Sequence, residues 1–473
     1  MERRKSDKAL VNVSKKTFIQ VVILLTVLML AAIALTYAIP RGEFGVTAEG
    51  AADYLDYRPL ENRGGIPIWK GLLAPVLVFG SENGVTLIML TLFLLIIFGA
   101  FQVMNDAGGI RALVGSVARR FEKRRNLLLA LLTLVFMCFG AFLGQFEEML
   151  TLLPIVTALC VMLGFDSFTG FLVSIIACGF GFASAITNPF TVLLASSIIG
   201  ADPMKNIWYR IVIFIVMYLL MLGFVFLYTA RLRKNPASGL TLAHDEKLRA
   251  AGGGMGFADE KRTRRVYTVF LLVCLALLAC FSFTPALRDY TVVLLTAYFL
   301  IFGILAGLLC GMPIGSVMKS FLKGIAGALP TVLFIALASS VKYILDEGAV
   351  MPTIIHAINT FTAGRSPFVI ALILYGIILV LEFFISSSTA KAILVMGMLA
   401  VVNVGLSKQM LVLIYTFADG YTNVLFPTSP VLLIGLSMIE VDYFKWVKKS
   451  IPLFLINLAL VILFIYLGIR FGY

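Results

Sequence analysis

Hydrophobic positions along the chain gather into long unbroken runs, separated by short polar or basic stretches. The runs cover 17–39, 84–104, 126–143, 147–163, 168–198, 207–229, 266–284, 291–310, 325–345, 366–384, 389–404, 407–439 and 451–469. Most approach the roughly 20 apolar residues that a helix needs to cross a bilayer core. Runs 126–143 and 147–163 are short and are divided by the polar tip Gly144-Gln145-Phe146-Glu147-Glu148. Runs 366–384 and 389–404 are divided in the same way by Ser386-Ser387-Ser388. Two more, 168–198 and 407–439, exceed one span, and each has a polar middle containing proline. The pattern predicts an all-α polytopic membrane protein with helical hairpins and broken helices. The first run follows a basic N-terminus and, at 23 residues, is longer than a secretory signal's apolar core, so it is expected to be a retained helix.

Basic residues set the sidedness. Of 38 Lys and Arg, 6 fall in 1–16, 6 in 105–125 and 9 in 230–265, flanking apolar runs as the positive-inside pattern requires. With the N-terminus cytoplasmic, 17–39 runs outward and 84–104 returns. Both 105–125 and 230–265 then lie inside, and 168–198 with 207–229 already supplies two crossings between them. The segment 126–163 therefore adds no net crossing, and a re-entrant hairpin is expected there. In the second half, 325–345 runs outward, 366–404 forms a hairpin entered from outside, 407–439 runs inward and 451–469 outward. Lys445, Lys448 and Lys449 then fall inside. The expected location is the plasma (inner) membrane.

An internal repeat matches this topology. Asp106-Ala107-Gly108-Gly109-Ile110 is followed 240 positions later by Asp346-Glu347-Gly348-Ala349-Val350, and the same offset carries Gly144 to Phe384. Pro189 precedes Pro427 by 238 positions. The expected division is a first repeat at 1–229, a basic cytoplasmic linker at 230–265, a linking helix at 266–290 and a second repeat at 291–473. The two repeats have opposite predicted topology. Inverted-topology repeats with discontinuous helices are a secondary-transporter design.

Composition removes the competing classes. The 473 residues are 60% hydrophobic and 13% charged. Mean hydropathy is +1.01. That apolar excess has to face lipid, which excludes a soluble enzyme or a nucleic-acid binder; the net charge of +13 is spent on topology. The six cysteines lie inside apolar runs and serve packing, with no metal or disulfide spacing. No Ser–His, paired-Asp or metal constellation suits an intramembrane hydrolase, and no Walker-type loop suits an ATP-driven pump.

Irregular backbone at membrane depth is tolerated only where it is buried in protein or lines a cavity. The two tips and the two breaks, 182–191 and 419–430, therefore mark the expected site. Freed amides favour anions, and unwound carbonyls suit Na⁺ or H⁺-linked sites. Candidate substrate ligands are Glu147, Glu148, Thr187, Asn188, Ser386, Ser387, Ser388, Lys391, Asp419, Thr422 and Asn423. Candidate coupling-ion or proton carriers are Glu147, Glu148, Glu382 and Asp419. Charges at this depth are costly and point to function. Lys391 has two readings, a substrate ligand or a lock that pairs with Glu382 or Asp419. Asp106, Asp346 and Glu347 are expected at helix ends.

The stretches FEEMLTLLPIV, TNPFTVLLASSI and FADGYTNVLFPTSPVLLIG resemble the YfcC-type family. That group is related to basic amino-acid antiporters and to anaerobic four-carbon dicarboxylate carriers of the ion transporter superfamily. The resemblance spans nearly the whole chain and is sharpest at Glu147-Glu148, Asn188 to Thr191 and Asp419 to Asn423. It implies two inverted repeats, each with a re-entrant hairpin, assembly as a homodimer, and elevator-type movement. One departure stands out: the family's second tip usually resembles Pro-Ser-Gly-Ser-Gly, whereas this chain has Ile385-Ser386-Ser387-Ser388-Thr389-Ala390-Lys391.

Four carboxylates facing one ammonium lead to the expectation of a secondary transporter exchanging cationic amino acids such as arginine, ornithine or lysine. Glu147, Glu148 and Asp419 would meet the cationic side chain or carry protons. Amides at Ser386-Ser387-Ser388 and the hydroxyls of Thr187 and Thr422 would hold the carboxylate. The alternative is a Na⁺- or H⁺-coupled carboxylate carrier in which Lys391 binds the anion. No cofactor is expected beyond Na⁺ or H⁺. The expected partners are a small-molecule substrate, the lipid bilayer and a second copy of the chain.

Overall fold

The computed structural model describes residues 15–473 apart from 47–51, 61–63, 82–83, 252–259, 285–286, 288–289, 355, 357–363, 386–387 and 402–404. The main helices of the first half are α1 (Lys15–Ala38), α2 (Gly84–Asp106), α3 (Gly109–Phe121), α4 (Arg125–Cys138), α5 (Leu153–Met162), α6 (Ser167–Ala183), α7 (Pro189–Ile199) and α8 (Ile207–Lys234). Then follow α9 (Leu242–Ala251), α10 (Glu260–Phe283), α11 (Thr291–Leu309), α12 (Ile314–Glu347) and α13 (Pro367–Phe384). The chain closes with α14 (388–401), α15 (Lys408–Thr422), α16 (Pro430–Met438) and α17 (Tyr443–Arg470). Among the described residues, 8 helices are long and apolar enough to cross a membrane. The protein is a multi-pass membrane protein. Large apolar side chains stay exposed along α1 (Ile19, Ile23, Val27) and α17 (Leu455, Ile456), where lipid takes the place of a core.

One departure from an all-α fold sits between α1 and α2. Strands β1 (Gly42–Val46) and β2 (Ala52–Pro59) pair antiparallel. They dock on the segment after α12 through Gly42 N to Ala349 O at 3.0 Å and the Tyr57 and Thr353 hydroxyls at 2.9 Å. Asp106 and Glu347 do end their helices. Asp106 accepts from Gln102 Nε2 and from Ser320 Oγ, both at 2.8 Å.

The helices form two packed groups that draw on both halves of the sequence. Helices α1, α2, α10, α11 and α12 make one group, with α2 against both α11 and α12. Small residues let these backbones approach: Gly303 faces Ala100, and Gly324 lies against the carbonyl of Phe98. The other group holds α4 to α8 and α13 to α17.

Within that second group the element boundaries recur. After α4, a π turn runs to Leu143, and α13 ends at Phe384, 241 positions later. Helix α6 stops at Ala183 and α15 at Thr422, 239 apart; α7 starts at Pro189 and α16 at Pro430, 241 apart. The proline that restarts the second helix is therefore Pro430, not the Pro427 that the sequence pattern pairs with Pro189. π turns occur at Phe139–Leu143, Leu172–Ile176, Pro189–Leu193 and Ala392–Met396, all within this group. Such turns are frequent at functional sites.

Helix α4 runs beside α6, and α13 runs beside α15. The outer halves cross over: α16 packs on the turn at Glu147–Thr151, and α7 packs on α14. The broken helices are antiparallel. Helix α9 holds the start of α6 and the end of α16, since Asp245 Oδ1 accepts from Ser167 N at 3.0 Å and His244 Nδ1 lies 3.8 Å from Glu440. At the far end, Lys408 at the start of α15 donates to Gly200 O beyond α7 at 3.3 Å.

Glycines set the closest approach. A Cβ at Gly181 would sit 2.0 Å from Met137 O, and one at Gly140 would sit 2.1 Å from Cys178 O. Backbone atoms cannot yield there, so Gly181→Ala is expected to cost about 1–3 kcal/mol and to lower the melting temperature of the purified protein. Gly376→Ala, which meets nothing within 4 Å, should leave it unchanged. Equal melting temperatures for the two variants would refute this packing.

Candidate functional site

The first break follows from Asn188-Pro189. Proline cannot donate to the preceding turn and pushes the residue before it into an extended conformation; Asn188 accordingly has φ −50 and ψ 122. Its fully buried amide bonds through both its oxygen and its nitrogen. Oδ1 accepts from Phe190 N at 2.9 Å and from Thr191 N at 3.3 Å, while Nδ2 donates to Gly140 O at 2.9 Å. Ile186 N and Thr187 N donate to Ala141 O at 3.0 and 3.2 Å. These bonds fasten the first hairpin tip to the first break. The tip turns at Gly144, φ +68, where a Cβ would lie 2.6 Å from Asn188 Oδ1. Cys178 Sγ donates to Gln145 O at 2.8 Å. Glu147 and Glu148 then open a single turn, with Glu148 buried.

The second half of the site is built from α13, α14 and α15. Asp419, expected at the opening of the second break, lies one turn inside α15; the break itself begins after Thr422. A regular turn of helix survives there because Thr422 Oγ1 and Asn423 Nδ2 bond back to Asp419 O at 3.0 and 2.9 Å. Lys391, from the start of α14, donates to Glu382 Oε2 and places its Nζ 2.6 Å from Asp419 Oδ1. Ser388 Oγ donates to Asp419 Oδ2 at 2.7 Å, and Thr422 Oγ1 donates to Glu382 Oε2 at 3.2 Å. Lys391 and Asp419 are fully buried, and Glu382 is 3% exposed. Ser386 and Ser387 lie outside the described residues.

The two halves meet. Glu147 is within electrostatic reach of Asp419. Glu382, Lys391 and Asp419 thus form a buried ionic triad, with the half-buried Glu147 and its neighbour Glu148 on the side of Asp419. Glu382 is a direct partner of the ammonium. Both Asn188 and Asn423 direct their amides to backbone, so they shape the breaks. Thr187 joins through its backbone N–H. Tyr415, absent from the sequence-derived set, donates its hydroxyl to Ser388 O. Its position four residues before Asp419 puts it on the same helix face, a signal the sequence does contain. Among the described residues, Glu382 Oε1 has no hydrogen-bond partner.

Chemically, the site is acidic, and its central ion pairs are buried. One ammonium is shared by two carboxylates, and two more carboxylates stand nearby.

The family model of the C4-dicarboxylate anaerobic carriers, DcuC, matches residues 18–470. The chain belongs to this carrier family. It is a membrane transporter. It is 28% identical over 397 residues to the Escherichia coli K12 protein named "Putative basic amino acid antiporter YfcC", covering 80% of this chain and 76% of that protein. An uncharacterised Haemophilus influenzae protein is 22% identical over 384 residues, covering 79% and 74%. Two solved structures are also similar across most of their length. Neisseria gonorrhoeae MtrF, described with a class of antimetabolite efflux pumps, has 14% identity, coverage of 94% of both chains and a TM-score of 0.44. The Alcanivorax borkumensis YdaH transporter has 16% identity, coverage of 96% and 99%, and a TM-score of 0.46. At these scores no residue role is carried across from either.

Removing one partner from a buried ion pair leaves the other charge uncompensated, at about 3–5 kcal/mol. Asp419→Ala is therefore expected to lower the melting temperature sharply. A melting curve unchanged by Asp419→Ala would mean that the pair is not formed.

Proposed function

We propose that the protein is a secondary transporter exchanging cationic amino acids of the arginine, ornithine and lysine type by alternating access. One observation carries the choice of substrate: the ammonium of Lys391 is held between Glu382 and Asp419, leaving the cluster with surplus carboxylate. A cationic side chain meets that surplus at Glu147, Glu148 and Asp419. Its α-carboxylate is held by Thr187 and by the amides of the 386–388 tip, with Thr422 turning from Glu382 to join them. Asn188 and Asn423 keep the two breaks in shape.

The antiparallel broken helices and their crossed packing support inverted-topology repeats with re-entrant hairpins. In this reading the chain lies in the plasma membrane with its N-terminus in the cytoplasm, an orientation that the basic loops support. The buried cluster is then a closed state, and hairpin movement opens it to either side. The name given to the Escherichia coli relative agrees with a cationic substrate.

The family's described substrates favour a second reading, a Na⁺- or H⁺-coupled carrier of C4-dicarboxylates. In that case Lys391 must leave both carboxylates to reach the anion.

Ligand-induced stabilisation separates these readings, because a ligand that binds only the folded state adds about 2.7 kcal/mol at a hundred times its Kd. L-Arginine, L-ornithine or L-lysine is expected to raise the melting temperature of the purified protein in detergent, with succinate inert. Glu148→Gln should keep its own melting temperature and lose the arginine shift. Stabilisation by succinate alone would overturn the cationic reading, and an undiminished shift in Glu148→Gln would remove that residue from the site.

A further inference from the structure

We propose that Lys391 is the protein's built-in replacement for its cationic cargo and that it carries the proton which the cargo displaces. This rests on the cationic reading of the site. The charge geometry makes the argument. Lys391 Nζ bridges Glu382 on α13 and Asp419 on α15, and every member of the triad is buried. The titratable groups around it are Glu382, with Tyr375 near it on α13, Asp419 and Tyr415 on α15, and Glu147 reaching Asp419 from the first hairpin. Without cargo, these carboxylates would face each other in a closed site with no cation. The ammonium prevents that, so the empty protein can close.

Arrival of a second cation changes the balance. Asp419 is the carboxylate that both cations need, and two cations in contact with that one carboxylate repel each other in a dry site. One N–H bond of the ammonium then breaks, and its electron pair stays on nitrogen. The proton passes to water on the side to which the site is open. A neutral amine remains beside Glu382, and the cargo's positive charge takes the vacated place at Asp419. The charge of the site is the same with and without cargo. On release the amine regains a proton from water on the opposite side and the pairs re-form. The coupled proton therefore resides on Lys391, and Glu147 and Glu148 serve as ligands.

A lysine can perform this exchange and an arginine cannot, because the guanidinium is never deprotonated in proteins. The test uses the purified full-length protein in weakly buffered detergent with a pH dye. L-Arginine binding is followed in parallel by the equilibrium retention of radiolabelled arginine. Wild type is expected to release one proton per arginine bound, and its arginine affinity should strengthen tenfold per pH unit where that proton leaves. Lys391→Gln should bind arginine with no proton release and no pH slope. Lys391→Arg, which keeps both ion pairs, should stay folded and bind at least a hundredfold more weakly. Proton release retained in Lys391→Gln would overturn the proposal. Arginine binding by wild type without proton release or pH slope would overturn it while leaving the cationic reading intact. No arginine binding by wild type or by Lys391→Gln would overturn both. Should neither substitution fold, a wild type that binds arginine without a pH slope still overturns the proposal.

Discussion

A charge taken out of water must be met by another, and this constraint organises the centre of the molecule. Lys391 cannot be buried without Glu382 and Asp419, and neither acid can be buried there without Lys391. Satisfying all three draws the start of α14 against α13 and α15, which positions the second tip. Ser388 and Tyr415 then add their bonds to the same junction. The first tip carries no lysine. Its two glutamates stand beside a site whose cation is already engaged, and this makes the cluster acidic overall.

The second constraint concerns backbone. Each broken helix exposes N–H and C=O groups in a region without water, and each must find a partner. The two breaks solve this differently. Asn188 caps α7 and at the same time donates to Gly140, so cap and hairpin are joined by one side chain. At the second break Ser429 accepts from Leu432 N at 3.5 Å, and Thr422 and Asn423 close the end of α15. Its proline restart has the same 241-residue offset as the helix-ending tips. Similar framework and different detail leave the charged triad on one side only.

Much of this is legible in the residues. Apolar runs locate the spans, because a lipid-facing helix has nowhere to hide polar residues. The tips and breaks stand out for the same reason: they gather Glu147, Lys391, Asn188 and Asp419 within runs that are otherwise mostly apolar. The β1–β2 pair escapes notice since it is short and its Tyr54, Tyr57 and Phe44 are scattered among charges. Local bonding decides that Pro430 and not Pro427 restarts the helix, and that Asp419 lies inside α15 rather than at the break. The pattern marks where a helix fails, but the terminal turn is decided by side-chain bonds such as those of Thr422 and Asn423. The sequence also leaves Lys391 with two readings. Pairing to Glu382 or to Asp419 is open from spacing, and only the packing of α13 on α15 makes both pairs form at once. Docking of α9 on Ser167 and Glu440 lies beyond pattern reading altogether, because it joins residues far apart in the chain.

The central claim is that the surplus of buried carboxylate selects a cation for exchange. Counterflow in proteoliposomes tests it most directly. Vesicles holding the purified protein would be loaded with unlabelled arginine, ornithine, succinate or a neutral amino acid, and the matching labelled compound supplied outside. The account predicts accumulation of label with arginine and ornithine and none with succinate or the neutral amino acid. Accumulation with succinate alone would contradict it and would assign the ammonium of Lys391 to the anion.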